Sequence, residues 1–177
     1  MTGATQPAQF ADFVHARAAS LNRTAVLLVP EPAGAEDLLR IALSQARLRW
    51  KSAGDSPEAF VRTILMRTFI KRSKKAEPSQ GGSHAGMGDP LEGLTARQRA
   101  IAVLVGFHQQ SLDQAANSLG ISPRAAATDD EHAREALAVP TLAQMTPILA
   151  EVAETYAYPD PAALTAYAER RAGAQRK

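Results

Sequence analysis

The third helical stretch of the chain carries the side chains best suited to chemistry on a polyanion. At about 100° per residue, Phe60, Ile64, Arg67, Lys71 and Lys74 or Lys75 fall on one stripe. Val61, Leu65, Thr68 and Phe69 form a separate core face. Cations take phosphates, and flat or apolar groups meet bases, so this mixture suits a nucleic acid. The same lysines would also complement the negative end of a helix dipole, with no ligand at all. Spacing alone leaves these two readings level.

A second stretch, Ser111 to Ala138, has the punctuation of a helix-turn-helix. Ser111 and Gln114 make a capping box. Gly120 after Leu119 suits the left-handed position that ends a helix, and Ser122-Pro123 restarts one. In such a motif the second helix enters the DNA major groove. An αα-corner that merely packs a core has the same caps and turn. Charge leans toward the corner: residues 122–138 hold Arg124 and Arg134 against Asp129, Asp130, Glu131 and Glu135, a net −2. Acids facing phosphate are repelled.

Other chemistry has little support. His15, His84, His108 and His132 show no ligand spacing with one another or with a carboxylate, so random surface or half-buried placement is their better reading. No glycine-rich phosphate loop follows a strand, because no strand is evident. Glu36-Asp37 is sufficiently explained as an acidic pair at a helix start. We therefore expect no catalytic residues, no metal ligands and no cofactor. With no cysteine the chain has neither disulfides nor thiolate ligands, which fits a cytoplasmic protein. No apolar run approaches the roughly 20 residues that span a bilayer, so membrane insertion is not expected.

The elements that position these residues are helices. The chain is alanine-rich with few aromatics, and its β-branched residues rarely alternate with polar ones. Phe10, Phe13, Val14, Ala18, Leu21, Ala25 and Leu28 predict a first helix over about 7–28. Ala35, Leu38, Leu39, Ala42, Leu43, Ala46 and Trp50 predict a second over about 33–51. Ser56-Pro57-Glu58 starts the third, which runs to about Lys75. Residues 76–90, rich in Gly, Pro and Ser, read as a flexible linker. Thr95 with Gln98 opens a helix reaching about Phe107, before the helix-turn-helix. Thr141 to Tyr156 is helix-like, with Pro147 either kinking it or starting a fresh helix capped by Thr146. Asp160-Pro161 opens a last helix through Ala172. The expected fold is all-α. It comprises a helical domain at 1–75, the linker 76–90, a helix-turn-helix domain at 91–138 and a C-terminal helical extension at 139–177.

Charge follows this division. Residues 1–75 hold 12 Lys/Arg against 6 Asp/Glu, a net +6, although the whole chain is only +2. A polyanionic partner is therefore expected at the first domain.

Five phrases, in order, resemble extracytoplasmic-function sigma factors of bacterial RNA polymerase, especially the actinobacterial kind. FADFVHARAASLNRTAVLL looks like the opening helix of sigma region 2. AEDLL at 35–39, with Trp50 closing the helix, is similar to the segment that docks on the clamp of the polymerase largest subunit. DSPEAFVRTIL at 55–65 resembles the family's third helix, LTARQRAIAVL at 94–104 the first helix of region 4, and SLDQAANSLGIS at 111–122 its helix-turn-helix. The resemblance covers roughly 8–75 and 91–138. It implies a transcription regulator that associates with RNA polymerase core and promoter DNA, with an anti-sigma factor as a further partner. Glu36, Asp37 and Leu38 would contact the polymerase. Arg62, Arg67, Lys71, Arg72, Lys74 and Lys75 would contact −10-region DNA, and Ser122, Arg124, Ala125 and Thr128 would make any −35 contact. The chain departs from the family at functional positions. Arg40 and Ile41 replace a Gln and an acid, and Arg67, Arg72 and Ser73 stand where an Asn and paired aromatics are common. Ala127 and Asp129 replace a Lys and an Arg. These departures raise an alternative: a degenerate paralogue that binds an anti-sigma factor or another regulator without reading promoters.

Overall fold

The computed structural model describes residues 6–75, 89–155 and 157–175, all of it helix and connecting turns. The first three helices are α1 (Gln6–Leu28), α2 (Pro32–Leu48) and α3 (Pro57–Lys75). Every residue expected on their apolar faces is buried, from Phe10 and Leu21 on α1 to Leu39 and Leu43 on α2 and Leu65 on α3. Glu31 caps α2 by accepting from the Gly34 N–H at 2.9 Å, with Pro32 at the first position. The second helix stops at Leu48, short of the expected Lys51, and a 3₁₀ turn covers Trp50–Ala53. That turn brings the Trp50 ring against Phe10 and Phe13, each centroid 5.0 Å away.

The next helix, α4 (Ala96–Ala102), opens with the expected Thr95–Gln98 capping box. It does not run regularly to Phe107: Val103–Phe107 widens into a π-turn, closed by His108 N–H donating to the Val103 carbonyl at 3.0 Å. Gly106 lies within this turn, where the chain packs closely on the C-terminal extension. A Cβ there would lie 2.8 Å from the Leu142 carbonyl oxygen and 3.2 Å from Leu149 Cδ1. The missing side chain admits the C-terminal extension. Gly106→Ala is accordingly expected to cost about 1–3 kcal/mol by overpacking, measurable as a lowered urea midpoint.

Helices α5 (Leu112–Leu119) and α6 (Pro123–Leu137) form the helix-turn-helix. The Ser111–Gln114 box is made, Gly120 adopts φ 70° and ψ 37°, and Ser122 Oγ accepts from the Ala125 N–H. After Pro140 a 3₁₀ turn at Leu142–Met145 precedes α7 (Thr146–Glu154) and α8 (Pro161–Ala174). Thr146 does not cap α7: its hydroxyl donates to the carbonyls of Gly106 and Ala143. Asp160 caps α8 as expected.

Among the described residues, one apolar cluster runs through α1 to α8, joining residues of the first domain to those of the second and of the extension. The second unit thus lies against the first. Residues 76–88 of the expected linker lie outside the described residues. Its last part is structural rather than spacer: Asp89, with a side chain 7% exposed, pairs with Arg99.

Candidate nucleic-acid interface

The end of α3 carries the cations, but tertiary contacts divide them. Lys71, Lys74 and Lys75 are exposed. Arg72 pairs with Asp37 of α2 at 2.7 Å, both half open to solvent, a contact of small energetic weight. Arg67 donates from Nε to the Ser118 carbonyl at 2.9 Å and from a terminal nitrogen to the Asn117 carbonyl at 3.2 Å. These carbonyls belong to the last turn of α5, where the helix dipole favours a cation. Arg62, half-buried, turns to His108. Four members of the expected stripe, Phe60, Ile64, Arg67 and Lys71, nevertheless share a face. Gln45, Arg49, Phe60, Ile64, Arg67 and Lys71 line a groove of about 320 Å³ between α2 and α3, mixing cations with apolar surface.

On α6 the tertiary structure changes the charge argument. Asp129 is 4% exposed and accepts from Arg97 of α4 in a two-pronged contact, its second bond 3.0 Å long. That hydrogen bond raises the Arg97 guanidinium above its ordinary value. Asp130 is 9% exposed and pairs with Arg134 one turn on, at 2.8 Å. Two of the four acids therefore face inward and hold the motif together. The outer face presents Arg124, Ala127, Thr128, Glu131, His132 and Glu135. Its first two turns carry one cation and no exposed acid, whereas the acids Glu131 and Glu135 begin in the third. Of the residues expected to meet DNA here, Arg124 and Thr128 are exposed, Ala125 is half-buried and Ser122 serves as the cap.

On α2, Glu36 pairs with Arg40 at 2.6 Å and Asp37 with Arg72. Leu38 is 1% exposed and holds α2 onto the core from inside. Beside it, α8 lies along α2. Arg47, its side chain 7% exposed, pairs with Glu169 of α8 at 2.5 Å, and the Arg40 guanidinium sits 5.6 Å from the Tyr167 ring centroid.

His108 has a role that spacing did not reveal. Its Nδ1 accepts from Arg62 at 2.8 Å, and its Nε2 lies 3.0 Å from Thr24 Oγ1, whose own proton goes to the Ser20 carbonyl. A guanidinium only donates, so the ring must be neutral with its proton on Nε2. Burial, and then the Arg62 charge, push its pKa down to about 3. Burial lowers Arg62 as well, partly offset by Glu58. The three partners are far apart in sequence, so periodicity carries no trace of the link. Among the described residues there is no group of three or more potential metal ligands.

The chain matches no protein-family model. It is 30% identical over 133 residues to the RNA polymerase sigma-E factor of Streptomyces coelicolor, covering 64% of this chain and 75% of that protein. The sigma-E factors of Streptomyces avermitilis and Streptomyces antibioticus match at 30% and 29% over the same length, each with 74% of its length covered. With five ordered phrases and a helix-turn-helix behind it, that coverage settles descent: the chain belongs to the RNA polymerase sigma factors of the extracytoplasmic-function, sigma-E type.

Proposed function

We propose that the protein is a sigma factor that associates with RNA polymerase core in the cytoplasm and directs it to promoter DNA. Its relationship to the sigma-E factors across three quarters of their length carries this reading. Glu36 and Asp37 on α2 are the polymerase contacts, with Leu38 supporting the helix beneath them. Lys71, Lys74 and Lys75 take −10-region phosphates, and Arg62, Arg67 and Arg72 join them when their present partners release them. Arg124 and Thr128, on the first two turns of α6 where no acid is exposed, with Ser122 and Ala125 at its start, meet −35 DNA.

Pull-down of core polymerase followed by run-off transcription tests the reading. Failure to bind core at low salt would remove it. Lys71→Ala, Lys74→Ala and Lys75→Ala together are expected to weaken promoter binding by the holoenzyme uniformly across sequences. They should also flatten the dependence of log K on log salt by roughly one per lysine. Titration of labelled promoter fragments at several salt concentrations measures both.

Glu131 and Glu135 on the open face of α6 favour a second reading, in which the chain is a degenerate paralogue that binds an anti-sigma factor or another regulator. Copurification from the native host with mass spectrometry separates the two. Recovery of polymerase subunits counts against the second, and recovery of a regulator alone supports it.

A further inference from the structure

We infer that α8 is an intramolecular latch: it covers the Arg40–Arg47 face of α2, and polymerase core engages that helix fully only after α8 has swung away. The inference rests on the reading of α2 as the polymerase-contacting helix and adds a means of regulating that site.

The seam is built from complementary chemistry. Leu164, Ala168 and Ala172, one turn apart, form the buried stripe of α8. Tyr167 and Glu169 flank it, each only half-buried, and they meet the two α2 arginines with a ring and a carboxylate. Arg47 is held between Glu169 and the Phe10 ring, 5.7 Å from its centroid. The connection to α8 is pinned to α1 as well. Arg23 pairs with Glu154 at 3.2 Å and donates to the Tyr158 hydroxyl, also at 3.2 Å. Residues 139–155 and 157–174 thus form a strap from the helix-turn-helix across α1 to α2.

The same seam is suited to release. Two of the three buried apolar residues that α8 itself contributes are alanines, so its own side chains bring little apolar surface to the seam. Arg40 Nε is buried without a hydrogen-bond partner among the described residues, an unmet demand that opening satisfies with water. Arg47 regains hydration in the same step. The closed state also engages the cations of α3: Arg67 is tied to the end of α5 and Arg62 to His108.

A protein whose competent state is a minor population binds more weakly by that fraction. Tyr167→Ala/Glu169→Ala in the full chain removes both polar holds without touching α2. Leu164→Glu, made alongside, puts a carboxylate into the seam, so that at least one variant frees α8. Amide hydrogen exchange reports release of residues 161–174 and continued protection of α1 and α3. Affinity for purified Streptomyces core polymerase is then measured for all three proteins. The freed variants are expected to bind core about ten-fold more tightly than the unmodified chain, the factor set by losing one ion pair and one cation–ring contact. In the unmodified chain, α8 should lose its exchange protection when core binds. Equal affinity of freed and unmodified chains would overturn the latch while leaving the polymerase reading intact. If neither binds core, the polymerase reading itself fails, and the latch with it.

Discussion

Replacing Asp89 with alanine is expected to destabilise the protein by about 3–5 kcal/mol, the usual cost of stranding one member of a buried ion pair. Arg99 is 8% exposed, and its guanidinium is a junction. It donates to the Leu27 carbonyl of α1 at 2.9 Å, to the Leu91 carbonyl at 3.0 Å and to the Asp89 carboxylate. Asp89 in turn accepts from the Leu91 N–H at 3.0 Å. One side chain of α4 therefore ties the end of α1 to the segment that precedes α4. Without the carboxylate, the cation stays buried with only carbonyl oxygens around it. Asp89→Asn keeps the acceptor for Leu91 and should lose less. Arg99→Met/Asp89→Ala removes both charges, and its loss should fall well short of the sum of the single losses. Urea unfolding of the four proteins gives these values. A cost below about 1 kcal/mol for Asp89→Ala would mean that the pair is not held away from water.

Acid is expected to weaken the protein through His108. The folded state keeps the ring neutral down to about pH 3, whereas the unfolded chain protonates it near the ordinary histidine value of 6.5. Between those values the unfolded state binds more protons, so stability rises with pH. The contribution is complete above about pH 6.5 and is lost as pH falls toward 3. Each pH unit in that interval is worth at most about 1.4 kcal/mol, so about 2–3 kcal/mol should disappear between pH 7 and 4.5. Carboxylates also titrate there, and a control is required. His108→Gln offers one acceptor to Arg62 and one donor to Thr24, reproducing the neutral tautomer without a titratable proton. The difference between the two urea midpoints, followed from pH 7 to 4.5, isolates the histidine. Parallel pH profiles would show that the imidazole is not held neutral by burial.

Much of the architecture was legible in the sequence because it is set by short-range rules. Ser111 with Gln114, Thr95 with Gln98, and Gly120 followed by Ser122-Pro123 each act within four residues, and each is made as expected. The apolar stripes of α1, α2 and α3 have the helical period, so the core face could be read residue by residue. Local rules failed where a distant group intervened. Regular helix through Phe107 yields to a π-turn, and the extension packs against it at Gly106. The Thr146 hydroxyl serves the Gly106 carbonyl instead of capping its own helix. Asp89, reading as linker by its Gly- and Pro-rich neighbours, is an anchor because Arg99 finds it.

The surfaces show the same division. Sequence determined that α3 would end in a cluster of cations, that a helix-turn-helix would follow and that the chain descends from sigma factors. Only the tertiary structure decided which of those charges are available. Asp129 and Asp130 count against DNA when charges are summed along α6, yet both face inward to arginines, and only Glu131 and Glu135 remain outside. Arg62 and Arg67 count toward DNA when charges are summed along α3, yet His108 and the end of α5 hold them. A helical period fixes the side of a helix on which a charge lies. Whether that side meets water, a carbonyl or an opposite charge depends on helices tens of residues away, and no spacing within the helix encodes them.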